Sequence, residues 1–294
     1  MDVLAQLNRA MAYLEAHMED DGAAADVSSV TTYSPYHFGR LFYYVAGMPL
    51  SEYIRKRRLS LAAMRLQSGD ERVLDLALLY GYDSADSFTR AFVRQHGCTP
   101  SEARKPGAQL TLFPSLVFQI QIKGVEAMHW RMEERDAFEV FGIERRIGCE
   151  DNGAVPAFWT ECHQDGSYER IFEAANAKPS AGEPCTVRAV CGYEASDGRT
   201  FPYMLCALKN EKSRTEGFTV IQIPKTTWAV FRSDVSEQIG TAIPVLFSRA
   251  YSEWLPSSGY DRAPGPDMEL YYSAPDGRYF EEVWIPVRKA SEVR

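Results

Sequence analysis

Residues 34–52 read SPYHFGRLFYYVAGMPLSE and residues 84–102 read SADSFTRAFVRQHGCTPSE, with seven of the 19 aligned positions identical at a shift of 50. The identities fall where one helical unit, used twice, needs them. Ser34 and Ser84 can accept an amide proton as N-caps. Phe38/Phe42 and Phe88/Phe92 stand one turn apart on a buried stripe, and Gly47 and Gly97 suit the left-handed position that ends a helix. Arg40 and Arg90 lie about 200° around from Phe38 and Phe88, at roughly 100° per residue, and face outward. A shorter apolar segment precedes each helix, at residues 27–30 and 73–79, and Tyr80-Gly81-Tyr82-Asp83 supplies a tight turn in the second copy. A short helix, a turn and a capped helix with a polar outer face make a helix-turn-helix unit, whose second helix enters the major groove.

The two units are joined by an expected helix over residues 51–67, about 25 Å long at roughly 1.5 Å per residue, enough to place two recognition helices on neighbouring turns of one DNA face. This connector carries Arg55-Lys56-Arg57-Arg58. Between Tyr33 and Arg65 six basic residues meet Glu52 as the only acid, a net charge of +5 and a local positive patch.

That patch is hidden in the whole-chain balance of 32 basic and 40 acidic residues, a net charge of −8. Through Leu110 the count is 12 basic to 13 acidic, and beyond it 20 to 27, so the acidity belongs to the second part. With 294 residues and 45% hydrophobic content, the chain has enough for two domains with their own cores. Arg104-Lys105-Pro106-Gly107 is the natural hinge, and alternation at Phe118, Ile120 and Ile122 announces strands beyond it. The expected division is 1–107, a linker at 108–125, and 126–290. Six cysteines (98, 149, 162, 185, 191 and 206) form no C-x-x-C pair and the five histidines (17, 37, 96, 129 and 163) are scattered, so no metal or cofactor is expected. Asp2 and Arg9 interrupt the start, and the least polar stretch, residues 110–122, is too short to span a bilayer. The reading is a soluble cytoplasmic protein with reduced thiols and no membrane partner.

The motifs S-P-Y-H-F-G-R-L-F, G-M-P-L-S-E-Y-I-R-x-R-R-L, L-A-x-x-Y-G-Y-D-S, S-F-T-R-A-F and G-C-T-P-S-E-A-R strongly resemble the DNA-binding domain of AraC/XylS-type bacterial transcription regulators, across nearly all of residues 1–105. The resemblance implies duplex DNA as partner, with RNA polymerase as a further candidate. It implies base or phosphate contacts from Tyr36, His37 and Arg40 in the first recognition helix, and from Asp86, Ser87, Thr89 and Arg90 in the second. Gly39 presents no side chain where members of the family often have a polar one.

The second part repeats too. Ala137-Phe138-Glu139-Val140-Phe141 and Thr227-Trp228-Ala229-Val230-Phe231 are 90 residues apart; each is followed by a helical candidate, opening at Pro156 or Pro244, and then by two strands. Two β-α-β-β units make a pseudo-twofold α+β domain. In the last strand Glu282 and Trp284 point to one face and Glu281, Val283 and Ile285 to the other, while Glu269 shares a face with Tyr271. A carboxylate among aromatic rings suits a lipophilic cation through ion pairing and cation–π attraction; it can equally bond within the fold.

The motifs A-F-E-V-F-G-I, V-P-A-F-W, I-P-K-T-T-W-A-V-F, Y-S-E-W-L-P-S-S-G-Y, P-D-M-E-L-Y and F-E-E-V-W-I-P-V resemble the GyrI-like effector-binding domain over residues 126–290. The resemblance implies a cleft between the repeats, lined by aromatic side chains and a buried glutamate and suited to a small aromatic or cationic effector. Glu282, in the E-x-x-I-P strand, is the first choice and Glu269 the second, with Trp159, Tyr193, Trp228, Trp254 and Trp284 as walls. The expected function is a transcription regulator whose second domain senses a small molecule, without catalysis. The alternatives are a hydrolase of a strained ligand, using two cleft carboxylates, and a second domain serving only as an interaction surface.

Overall fold

The computed structural model describes residues 3–118, 127–148, 153–177, 179, 182–194 and 200–290. Helices fill the first part: α1 Val3–Ala16, α2 Ala23–Asp26 with a 3-10 turn at Val27–Ser29, α3 Pro35–Ala46, α4 Leu50–Ser68, α5 Val73–Leu79, α6 Ala85–His96 and α7 Pro100–Ala103. The repeat is built as its residues dictate. Ser34 and Ser84 cap α3 and α6 by accepting the His37 and Ser87 amides, and Gly47 and Gly97 close them at φ 72° and 76°. Phe38 and Phe42 are buried beneath α1 and the start of α4, while Phe88 and Phe92 are buried against the other end of α4 and α5. The long helix α4 therefore feeds both cores, Tyr53 and Ile54 into one and Leu59, Ala62 and Leu66 into the other.

A helix packed on so many sides turns most of its charges to structural use. Lys56 pairs with Glu52 and Arg57 with Glu15, Arg58 donates to the Met18, Asp20 and Tyr80 carbonyls, and Arg65 pairs with Glu19 and Glu71. The basic run expected to form an open patch is thus reduced to the exposed Arg55, because long cationic side chains reach unsatisfied carbonyls of neighbouring segments. Residues 108–118 follow α4, where Ser60 Oγ accepts the Phe113 amide, Tyr53 Oη the Leu116 amide, and Asn8 exchanges two hydrogen bonds with Phe118. The rest of the expected linker, with Ile120 and Ile122 of the alternating run, lies outside the described residues, as does Cys149.

The second part is one antiparallel sheet with helices. Its elements are β1 His129–Arg135, β2 Phe138–Gly148, α8 Ala154–Gln164, α9 Ser167–Ala175, β3 Arg188–Cys191, β4 Thr200–Leu208, β5 Thr219–Ile223, β6 Thr226–Arg232, α10 Ile243–Arg249 continued by a π-helical turn, α11 Leu255–Ser257, β7 Tyr260–Arg262, β8 Asp267–Ser273 and β9 Tyr279–Lys289. The strand order β1-β6-β9-β8-β3-β4-β2-β5 is a mirror image in connectivity about the β8/β3 pair, the seam of two β-α-β-β units. The added edge strands are exchanged: β1 precedes the first unit but pairs with β6 of the second, and β5 precedes the second but pairs with β2 of the first. The alternation reading did not include β1, β5 or the short β7.

Period two separates the faces. Val283, Ile285 and Tyr271 pack with the helices, whereas Met268, Leu270, Tyr272 and Trp284 form a second cluster with Trp228 on the other face. The core under α10 does not stop at the domain boundary, since Phe38, Leu41 and Phe42 of the first domain belong to the same apolar cluster as Phe247, Tyr251 and Trp254 of the second.

Candidate effector cavity and recognition helices

The two helices expected to read DNA occupy different surroundings. On α6, Asp86 and Arg90 are exposed and Thr89 is partly exposed, while Ser87 Oγ donates to the Ser84 carbonyl. On α3, the outward stripe Tyr36-Arg40-Tyr44 is turned against the second domain. Tyr36 is 2% exposed and its ring lies 4.9 Å from that of Phe201. Arg40 donates to Tyr36 Oη at 2.7 Å, to Cys191 Sγ at 2.9 Å and to Tyr44 Oη at 3.2 Å, lies 3.4 Å from Asp267 Oδ2, and stacks 4.0 Å over the Phe247 ring. His37 is buried with Nδ1 on Ser34 Oγ and Nε2 without a partner among the described residues; burial, reinforced by Arg262 and Arg40, holds its pKa well below the usual value. The same environment pushes the Tyr44 hydroxyl up to about 12, mainly by burial.

Between α3 and the second domain lies a cavity of about 910 Å³. The sheet supplies Tyr203, Glu269 and Tyr271, α8 supplies Trp159, α10 supplies Phe247, and α3 supplies Tyr36, Arg40 and Tyr44. Its polar centre is a relay: Trp159 Nε1 donates to Tyr203 Oη at 2.9 Å, and Tyr203 and Tyr271 both donate to Glu269 Oε2, at 2.7 and 3.0 Å. Burial raises the Glu269 pKa, and the two tyrosine hydrogen bonds and Arg40 oppose that shift. Among the described residues no other carboxylate lines the cavity. Nor does any group of three or more His, Cys, Asp or Glu among them stand where it could hold a metal.

Comparison with known proteins fits these two parts. A family model described as "Integron-associated effector binding protein" matches residues 131–287, and one described as "Helix-turn-helix domain" matches residues 27–106. The Right origin-binding protein of Escherichia coli K12 is 36% identical over 300 residues, covering 98% of this chain and 100% of that protein. The chain belongs to the AraC-type transcription regulators that carry a GyrI-like effector-binding domain. The probable transcription factor PqrA of Proteus vulgaris is similar to the first domain, 38% identical over 103 residues, 34% of this chain and 84% of that one. The uncharacterized regulator YbfP of Bacillus subtilis matches 31% of each chain, at 36% identity. No described helix is long and apolar enough to cross a membrane.

For this regulator, the expected effector residues divide by sheet face. Glu269 and Trp159 line the cavity. Glu282, the first choice, does not: one residue out of phase, it faces the opposite side, where Arg131 grips it bidentately and Tyr272 and Trp284 donate to it at 2.8 and 3.0 Å. Trp228 and Trp284 pack edge to face on that same side, and Tyr193 Oη is held by Glu144 there. Trp254 lies under Trp130, Phe231 and Tyr260, away from the cavity. Glu281 does leave the other face, but it caps the start of α10 by accepting the Gly240 and Ala242 amides. Tyr44, Tyr203 and Phe247 line the cavity without being among the expected wall residues. Tyr44 had a signal, the four-residue spacing Tyr36-Arg40-Tyr44, which puts both phenols on the face of the arginine.

Proposed function

We propose that the regulator's effector is a lipophilic organic cation, bound in the cavity between the two domains, with Glu269 as its counter-ion. One observation carries the reading: a buried carboxylate that accepts two phenol hydrogen bonds at the centre of an aromatic cavity. Arg40, from the other domain, is a cation whose charge reaches this carboxylate; an organic cation can claim the same counter-ion, and aromatic faces add cation–π attraction. The effector residues of this reading are Glu269, Trp159, Tyr203, Tyr271 and Phe247. Sensing without turnover is favoured over hydrolysis because among the described residues the cavity offers one carboxylate, not the two that the hydrolytic reading needs.

DNA is engaged by Asp86, Thr89 and Arg90 of α6, and by Tyr36, His37 and Arg40 of α3 in an arrangement where α3 is released from the effector domain. RNA polymerase stands as a further candidate partner of the DNA-bound chain. The domain limits of this reading are 1–107 and 126–290. Calorimetric titration tests the effector site. Tetraphenylphosphonium should bind, and tetraphenylborate, the same shape with opposite charge, should not. Glu269→Gln should weaken the cation by about 1–3 kcal/mol, the usual value of a charge-assisted contact. Equal uptake of both ions, or no effect of the substitution, would refute it.

A further inference from the structure

The strongest remaining feature is the guanidinium of Arg40, a cation already seated at the edge of the cavity. It has the surroundings an organic cation would seek: the Phe247 ring at 4.0 Å, Tyr36 and Tyr44 on either side, and the Asp267 carboxylate at 3.4 Å. It comes from the other domain, on the outward face of a recognition helix that cannot enter a groove while so placed. Its withdrawal would not orphan Asp267. Asp267 is independently paired with the buried Arg262, Nη2 to Oδ1 at 2.7 Å, and accepts Tyr251 Oη at 3.2 Å.

We infer that Arg40 is a tethered occupant of the effector site, holding α3 closed against the effector domain until an organic cation takes its place over Phe247 and frees the helix for DNA. The inference rests on the cavity being the effector site. Ligand and duplex are then coupled through one side chain. The cation binds the open arrangement better than the closed one, so it shifts the chain toward the DNA-competent state, and DNA must by reciprocity favour the cation.

Gly192, on the effector domain, offers a lever that changes no DNA-reading side chain and does not itself line the cavity. At φ 69° it lies against the Tyr36 ring, and a β-carbon there would collide with Tyr36 Cε1. Gly192→Ala therefore pushes α3 away from the second domain.

The experiment uses the full chain, a labelled duplex selected by it from a random pool, and tetraphenylphosphonium. Wild type should gain about tenfold in duplex affinity when saturated with the cation. Gly192→Ala should approach that affinity without the cation and gain less than about twofold on its addition. Independently, Arg40→Gln should bind tetraphenylphosphonium about tenfold more tightly, because the internal competitor is gone. Cation uptake by calorimetry with no change in wild-type duplex affinity would overturn the inference while leaving the effector site intact. Unchanged or weaker cation binding by Arg40→Gln would make Arg40 a wall, not a competitor, and would overturn it even if Gly192→Ala failed to fold. Absence of cation uptake in both wild type and Arg40→Gln would instead remove the effector reading, and the inference with it.

Discussion

Glu269 and Glu282 sit on paired strands one residue out of step, Glu269 opposite Val283 and Leu270 opposite Glu282, so their carboxylates leave opposite faces of one sheet. One enters the cavity with two tyrosines; the other is consumed by an arginine, a tyrosine and a tryptophan. Their substitution should separate accordingly. Glu282→Gln removes the buried charge shared by Arg131, Tyr272 and Trp284 and leaves Arg131 with Glu133 alone, so the denaturant midpoint should fall by an amount equivalent to about 1–3 kcal/mol. Tetraphenylphosphonium affinity should be unchanged. A selective loss of cation binding without loss of stability would put the ligand on the wrong face.

Cation binding should depend on pH through Glu269. Burial raises its pKa above the usual 4.5, so the ionised form that pairs with a cation is lost at a higher pH than for an exposed glutamate. Affinity for tetraphenylphosphonium should be full well above the raised pKa and decline as pH falls through it, with proton release on binding in that window. Titrations in buffers of different ionisation enthalpy, compared with Glu269→Gln, measure the proton count. A flat profile in wild type would count against an ionised partner.

His37 gives a second pH effect of defined sign. Burial and two nearby guanidiniums depress its pKa well below 6.5, so below that value the unfolded chain binds a proton that the folded one refuses. Stability is therefore fully present above about pH 6.5 and is lost as pH falls toward the depressed folded value. His96, also buried and shifted down, contributes with the same sign. Between pH 7.5 and 5.5 the drop in Tm should be smaller in His37→Asn than in wild type. Parallel curves would show that His37 is not buried neutral at the domain contact.

The helical part was legible because each signal is local: a serine cap, a phenylalanine pair and a left-handed glycine lie within one helix. The two β-α-β-β units were legible from alternation, and alternation also separated Glu281 from Glu282. What alternation cannot say is which face the helices cover, and the E-x-x-I-P resemblance that puts Glu282 first does not say it either. Swapped edge strands β1 and β5 escaped because pairing between distant segments leaves no local trace. The outward position of Arg40 was read correctly, but outward from its own helix proved to be inward at the contact between domains.

The exposed Arg90 on α6 has no such contact to leave. Arg90→Ala should weaken duplex binding by about 1–3 kcal/mol with or without the cation, as expected for loss of a bidentate base contact. Anisotropy titrations at fixed salt check this, and unchanged affinity in both states would make Arg90 a solvated surface charge.

The central claim is the place of the cation, and arsenic reports it directly. Crystals of the full chain grown with tetraphenylarsonium should give an anomalous difference peak in the cavity beside Glu269, walled by Trp159, Tyr203, Tyr271 and Phe247. A peak on the opposite face beside Glu282 and Trp284, or none in crystals where solution binding is established, would contradict the account.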